Sequence, residues 1–376
     1  MNKENLYIDI NVLQTVPSSN INRDDTGTPK TAMYGGVTRS RVSSQSWKRV
    51  IRQAFQKEGN DEDWLKGYRT KKVSALLSQR IRDLKPDLDE DAATKAANDL
   101  LKTAGLKVKL DKKNGEFLTG ALLFVSKGQL NKLAQYAIDN PDLGEKKSKE
   151  LKETKKGLKQ ILLNDNSLAL AMFGRMVADD PSLNVDAAVQ VAHAISTHEI
   201  VPEFDYFTAI DDKRKEDEAG SAMLGTIEYN SSTLYRYANI NVNELEKNIG
   251  SDLTIKGAKL FIKEFISTMP TGKENTFANK TVPQYVLVTI RKDTPVNLVS
   301  AFEDPVKSHG GYVKASIDRL ENEYQATQKF VEAPVACFVL TTDHSDLKQV
   351  ENLSDLLDKV GQVLAEKVSQ DENDNA

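Results

Sequence analysis

From residue 58 to about residue 165 the chain reads as helix, and strand-like segments lie on both sides of that block. A sheet drawn from both sides must close across the whole block, so its strand pairings are non-local. Within the block Lys, Asp, Glu, Ala and Leu dominate. Apolar residues recur at helical spacing in 73–84, 90–104 and 128–138. The run 145–159 carries seven Lys and three Glu. We read 58–166 as a helical insertion on a more compact body.

The body announces itself at the N-terminus. Leu6, Ile8, Ile10 and Val12 alternate with Tyr7, Asp9 and Asn11, the period of a half-buried strand. The polar stretch 17–41 reads as a loop, with Gly35-Gly36 as its flexible point. A helix follows. Ser43 is its expected N-cap, and Val42 and Trp47 occupy the hydrophobic-staple positions. Trp47, Val50, Ile51, Ala54 and Phe55 make one apolar face, with Gln45, Lys48, Arg49 and Arg52 off it. Beyond the insertion, 169–177 is strand-like, and 185–193 fits either a strand or a short helix. Residues 197–210 and 226–240 read as long strands joined by the charged run 211–218, the outline of a protruding hairpin. Further on, 243–269 is helical with a break near Gly250, 285–291 a strand, 312–331 a helix, 336–341 a strand and 347–368 a helix. Separated strands with helices between them predict an α+β fold, a sheet covered by helices on one face.

Several function classes are disfavoured. The single cysteine, Cys337, rules out an internal disulfide and a CxxC site, which fits a reducing cytoplasmic setting. Residues 1–10 do not read as a signal peptide, and the longest apolar runs are too short to span a bilayer, so no membrane partner is expected. No GxxxxGK[ST], GxGxxG, HExxH or GxSxG occurs. His193 and His198 stand five apart, which does not place two ligands on one helical face, and both read as structural. Cys337, inside VACFVL, reads as a buried strand residue. We therefore expect no catalytic residue, no metal and no cofactor.

Charge points elsewhere. The net charge is −4, but 343–376 holds nine acids against three bases, which leaves the remainder at +2. The stretch 26–57 contains seven bases and no acid. A helix starting at Ser43 offers unpaired N–H groups and a positive dipole end, an expected anion site beside Ser44, Gln45 and Lys48. The competing reading of such a run is a solvated face. The segment Phe204-Asp205-Tyr206-Phe207-Thr208 supplies aromatics that either stack on bases or belong to a core. Asp24-Asp25, beside Arg23, either holds a metal or acts in acid–base chemistry, or caps a turn.

An ordered set of motifs then resembles a known family. NRDD (22–25), YGG (34–36), RxRVSSQSWKR (39–49), GRM (174–176), AHAISTH (192–198), DYFTAIDD (205–212), GSAMLGT (220–226) and YRYANIN (235–241) are similar to the CasC, or Cas-seven, backbone subunits of type I-E CRISPR Cascade. The resemblance is strong over 1–57 and 167–245. It implies an RRM-like, ferredoxin-type palm in two parts, 1–57 and 167–376, helical fingers at 58–166 and a hairpin thumb at about 199–226. It implies a non-catalytic subunit that polymerises with further copies of itself in a helical filament along crRNA. Other Cascade subunits and target DNA paired to the guide are the remaining implied partners. By the same resemblance Arg23, Ser43, Gln45, Lys48, Arg49 and Arg52 grip the guide backbone, Met176 packs on nucleotides, and Phe207, Thr208 and Leu224 stand at a displaced base. The turn 211–218 is longer and more charged than the family pattern. The alternative is a metal-dependent ribonuclease of the type III backbone kind using Asp24 or Asp25, and a third reading is an RNA-binding module acting alone.

Overall fold

The computed structural model describes residues 4–58, 62–143, 148–209 and 223–373. Its strands are β1 (Tyr7–Ser19), β2 (Thr31–Tyr34), β3 (Val37–Val42), β4 (Gly67–Thr70), β5 (Val108–Asp111), β6 (Glu116–Thr119), β7 (Leu123–Ser126), β8 (Val189–Val191), β9 (Ala194–Ser196), β10 (Glu203–Ala209), β11 (Met223–Asn241), β12 (Tyr285–Arg291) and β13 (Ala336–Thr341). Its helices are α1 (Ser44–Glu58), α2 (Val73–Leu84), α3 (Glu90–Thr103), α4 (Lys127–Asp139), α5 (Ser148–Leu163), α6 (Leu168–Phe173), α7 (Val242–Ile249), α8 (Ser251–Ser267), α9 (Glu274–Phe277), α10 (Val313–Thr327) and α11 (Leu353–Asn373). The fold is α+β. The chain divides into two units: Met1–Ile51, Val191–Asn239 and Lys259–Ala376, and Arg52–Gln190 with Ile240–Ala258.

The first unit is built on a sheet ordered β13-β12-β1-β11-β9-β3-β2, with β8 and β10 also on β11. β1 runs antiparallel to β12, from Tyr7 opposite Arg291 to Leu13 opposite Tyr285. On its other side, side-chain bridges fix the register against β11. Tyr237 and Tyr235 hydroxyls donate to Asp9 and Asn11, each at 2.7 Å, and Thr15 meets Thr233 at 3.1 Å. The numbers rise on one strand as they fall on the other, so this pair is antiparallel too. One apolar cluster takes Leu13, Tyr285, Leu287 and Val339 from the sheet and Ile317, Leu320 and Tyr324 from α10. A second joins Val16, Val42, Ala194 and Leu234 to Trp47 of α1. Val42 and Trp47 are both fully buried, as the staple predicts. Full burial of side chains this size contributes about 1.5–3 kcal/mol each.

The expected loop 17–41 holds a hairpin instead. β2 and β3 pair from Thr31 opposite Ser40 to Tyr34 opposite Val37. Its two turn residues, Gly35 (φ 59°) and Gly36 (φ 77°), both sit in the left-handed region that a two-residue hairpin turn needs. A Cβ on Gly35 would also lie 1.6 Å from the Glu303 carbonyl oxygen. Arg39, counted among the basic residues, points inward: it is fully buried and donates to the carbonyls of Tyr34 (3.1 Å), Ser196 (2.9 Å) and Phe302 (2.7 Å). His198 is structural: its Nε2 accepts from Thr233 N–H at 3.1 Å and its ring stacks on Tyr312 with centroids 3.6 Å apart. Burial holds it neutral, with its pKa below the usual value.

The second unit packs Val73, Leu77 and Ile81 of α2 against Ala97, Leu100 and Leu101 of α3, with Leu130 and Leu133 of α4 and Leu158 and Leu162 of α5. It is not purely helical. β4 pairs β7, and β5 pairs β6. It also extends past residue 166 to Gln190 and takes in 240–258. Residues 169–177, expected as a strand, begin instead with α6. Ser167 caps it by accepting from Leu170 N–H. Leu168 to Met172 are buried all round, which erases the periodicity that would have marked a helix.

Candidate nucleic-acid interface

Helix α1 carries the basic stripe. Gln45, Lys48 and Arg49 stand at i, i+3 and i+4, and the spacing continues to Arg52. Gln45 and Arg49 are exposed and Lys48 is half-buried. Burial pushes the Lys48 ammonium below its ordinary pKa. The opposite side of the helix is pinned by Trp47 and Ile51 in the core.

The helix N-terminus is not the open anion site the sequence predicts. Ser43 is the N-cap, and its Oγ accepts from Gln45 N–H at 3.2 Å. Ser44 N–H donates to His193 Nδ1 at 3.0 Å, and Ser46 N–H to the Ser43 carbonyl at 2.9 Å. The first amides are thus spent inside the fold, and His193 is a capping residue. Its imidazole sits below its ordinary pKa through burial and the nearby charges of Arg41 and Lys30. Side chains, not free amides, remain to meet an anion.

Arg23 lies beside this helix start. Ser43 N–H donates to Asn22 Oδ1 at 2.8 Å, which ties the 22–25 loop to α1. Arg23 is exposed and makes no ion pair among the described residues. Asp24 is committed to its own turn: its carboxylate accepts from the amides and hydroxyls of Thr26 and Thr28 at 2.7–3.1 Å. Those bonds, led by the Thr26 hydroxyl, hold its pKa down at about 2. Asp25 is exposed. An open cleft nearby is lined by Asn22, Lys30, Ser40, Arg41, Asn230 and Ser232. Lys30 and Arg41 belong to the seven bases of 26–57 but were not chosen as site residues from sequence; the short β2–β3 hairpin that brings them together was the missing information.

The β10–β11 hairpin arranges its side chains by register. Thr208 faces Leu224, Tyr206 faces Thr226 and Phe204 faces Glu228, so these share one face. Phe204 (66%), Tyr206 (65%) and Leu224 (60%) are all exposed there. Phe207 is opposite Gly225 on the other face, and its ring fills the space where a Gly225 Cβ would stand, 2.4 Å away. The structure therefore brings Thr208 and Leu224 together and separates Phe207 from them. Strand alternation shows that Phe204 and Tyr206 belong with Leu224. The hairpin base is held by Asn20, whose Nδ2 donates to the Glu228 carbonyl at 2.9 Å. The turn 211–218 lies outside the described residues.

In the second unit, Arg52 places its guanidinium 5.9 Å from the Phe124 ring centre. The Phe124 carbonyl accepts from Arg175 at 3.2 Å. Arg175 is buried and also bonds the carbonyls of Leu183 (2.9 Å) and Leu162 (2.6 Å). Gly174 (φ 73°) precedes it, where a Cβ would approach the Val185 carbonyl oxygen to 2.8 Å. The next side chain, Met176, turns outward and is 82% exposed. In GRM, the first two residues build the bend and the third is presented by it.

A family model described as CT1975-like protein matches residues 8–364. The chain belongs to the CT1975-like family. A solved structure described as "CRISPR RNA-guided surveillance complex, pre-nicking" is similar at 30% identity with a TM-score of 0.82, over 95% of this chain and 100% of the other. Another, described as "CRISPR RNA-guided surveillance complex", is similar at 26% identity with a TM-score of 0.73, over 95% and 99%. No curated protein matches. The Cas-seven-type resemblance read from the motifs is borne out by these matches. Among the described residues no helix is long and apolar enough to cross a membrane.

Proposed function

We propose that this CT1975-like chain is a non-catalytic, crRNA-binding backbone subunit of a type I-E Cascade surveillance complex. The observation that carries this is the end-to-end similarity, at 30% identity, to a chain of an RNA-guided surveillance complex. The acid-free stripe on α1 supports it chemically. In this reading Arg23, Gln45, Lys48, Arg49 and Arg52 meet guide phosphates, with Ser43 shaping the helix start. Met176 packs on nucleotides, and the hairpin displaces a base with Thr208 and Leu224 while Phe207 stiffens it. The run β12-β1-β11-β9, with β1 and β11 inside it, supports the proposed RRM-like, ferredoxin-type palm. The fingers are then 58–166 and the thumb about 199–226. Further copies of the chain, other Cascade subunits and target DNA are the proposed partners. Sequence reading is left to base pairing, so the protein need only hold backbone and shape.

The nuclease reading fares worse. A metal-dependent cut needs a group free to hold the ion or move a proton. Asp24 is turned onto Thr26 and Thr28, and a carboxyl with a pKa of about 2 is a weak base. The assembled complex, given matched RNA and Mg²⁺ or Mn²⁺, is expected to leave the strand intact on a denaturing gel. Asp24→Ala should loosen the loop and leave that result unchanged. Periodic metal-dependent cuts abolished by Asp24→Ala or Asp25→Ala would replace this reading with the nuclease.

A further inference from the structure

Beneath the basic stripe lies a cation that touches no solvent. Arg236 of β11 is 1% exposed. Its guanidinium carbon is 3.8 Å from the Trp47 ring centre and 4.6 Å from that of Phe265. One terminal nitrogen donates to Gln14 Oε1 at 2.5 Å and the other to the Phe265 carbonyl, while Nε has no partner. Among the described residues no carboxylate pairs with it. Glu264, buried on the same helix as Phe265, stands 3.9 Å from Lys263. Two aromatic faces and neutral oxygens are an unusual seat for a full charge, because a buried ion without a counter-ion is costly. Burial alone drags its pKa down to about 9, so it stays protonated at neutral pH.

The site makes sense if the counter-charge comes from outside the chain. We propose that Arg236 is a positioning residue for the polyanion: a fixed cation under α1 that, through Trp47, orients the helix and adds its field to Lys48 and Arg49. The inference rests on the RNA-binding reading. Trp47 lies next to Lys48, and a helix is only about 10–12 Å across. At that range in a poorly polarisable interior the field is little screened by salt.

The test places a counter-charge in the sandwich. Gln14→Glu keeps the bond to Arg236, at the expense of the Gln14 Nε2 bond to the Thr281 carbonyl at 3.0 Å. Binding of single-stranded oligouridylate by the full-length protein is measured with thermal melting alongside. Gln14→Glu is expected to weaken binding about tenfold without lowering the melting temperature, a factor worth about 1.4 kcal/mol. Arg236→Met should weaken it similarly, and Arg236→Lys, which restores charge but not the fork, should recover most of it. If binding follows melting temperature across the three variants, Arg236 is structural only and the inference fails. Folded Gln14→Glu binding RNA as tightly as wild type also overturns it. If wild type itself does not bind RNA, the functional reading falls first, so the two failures are distinguishable.

Discussion

Replacing Lys48 and Arg49 together by glutamate should lower affinity for single-stranded RNA on the order of a hundredfold at about 0.1 M salt, whatever the RNA sequence. Arg49 is exposed on α1 and Lys48 half-buried beside it, while the core face is fixed by Trp47 and Ile51, so the fold should persist. Each phosphate contact contributes a slope of about 0.7 to log affinity against log salt for single strands. Losing two contacts should therefore flatten the plot by about 1.4. Because the α1 amides are already capped by Ser43 and His193, backbone groups cannot compensate. Gln45→Ala should change affinity far less and leave the slope alone, since an amide releases no counter-ion. Unchanged affinity and slope in the double variant, with melting preserved, would place the groove elsewhere.

The second large effect concerns the hairpin. Leu224→Ala and Tyr206→Ala remove exposed side chains from one face, and neither should alter folding. Stacking of an aromatic ring on a base is worth about 1–3 kcal/mol, so a single copy carrying Tyr206→Ala should lose roughly fivefold to a hundredfold in affinity, and Leu224→Ala, which removes only apolar contact, should lose less. Regular spacing along a guide should suffer more, visible as loss of periodic nuclease protection. Phe207→Ala should behave differently. It strips the cover from Gly225 and loosens the strand pair, so proteolysis between β10 and β11 should quicken. Equal effects from Phe207→Ala and Leu224→Ala on protection, with no change in proteolysis, would contradict the two-face assignment.

Much of this architecture was legible because it is local. β12 and β13 have the bounds read from their short apolar runs, α2 spans the predicted 73–84, and the break near Gly250 separates α7 from α8. The failures share a cause. β4 to β7 are four residues each, too short for a period to show. The β2–β3 hairpin mixes polar and apolar residues in strands of four and six residues, and only its Gly35-Gly36 turn hinted at it. α6 is buried on all sides, so its apolar run carries no phase. The stripe Gln45, Lys48, Arg49 was readable from helical spacing, but the partner that caps its first amide, His193, lies 149 residues away. Arg39 illustrates the same limit: sequence shows a charge and not its direction, and this one faces three carbonyls in the core.

The most direct measurement is the identity of the RNA that travels with the protein. Purified under native conditions from its host through a tag and sequenced, the bound RNA should consist of CRISPR repeat–spacer transcripts, with other Cascade proteins in the same fraction. Recovery of a broad sample of cellular RNA without them, or of no RNA at all, would contradict the account.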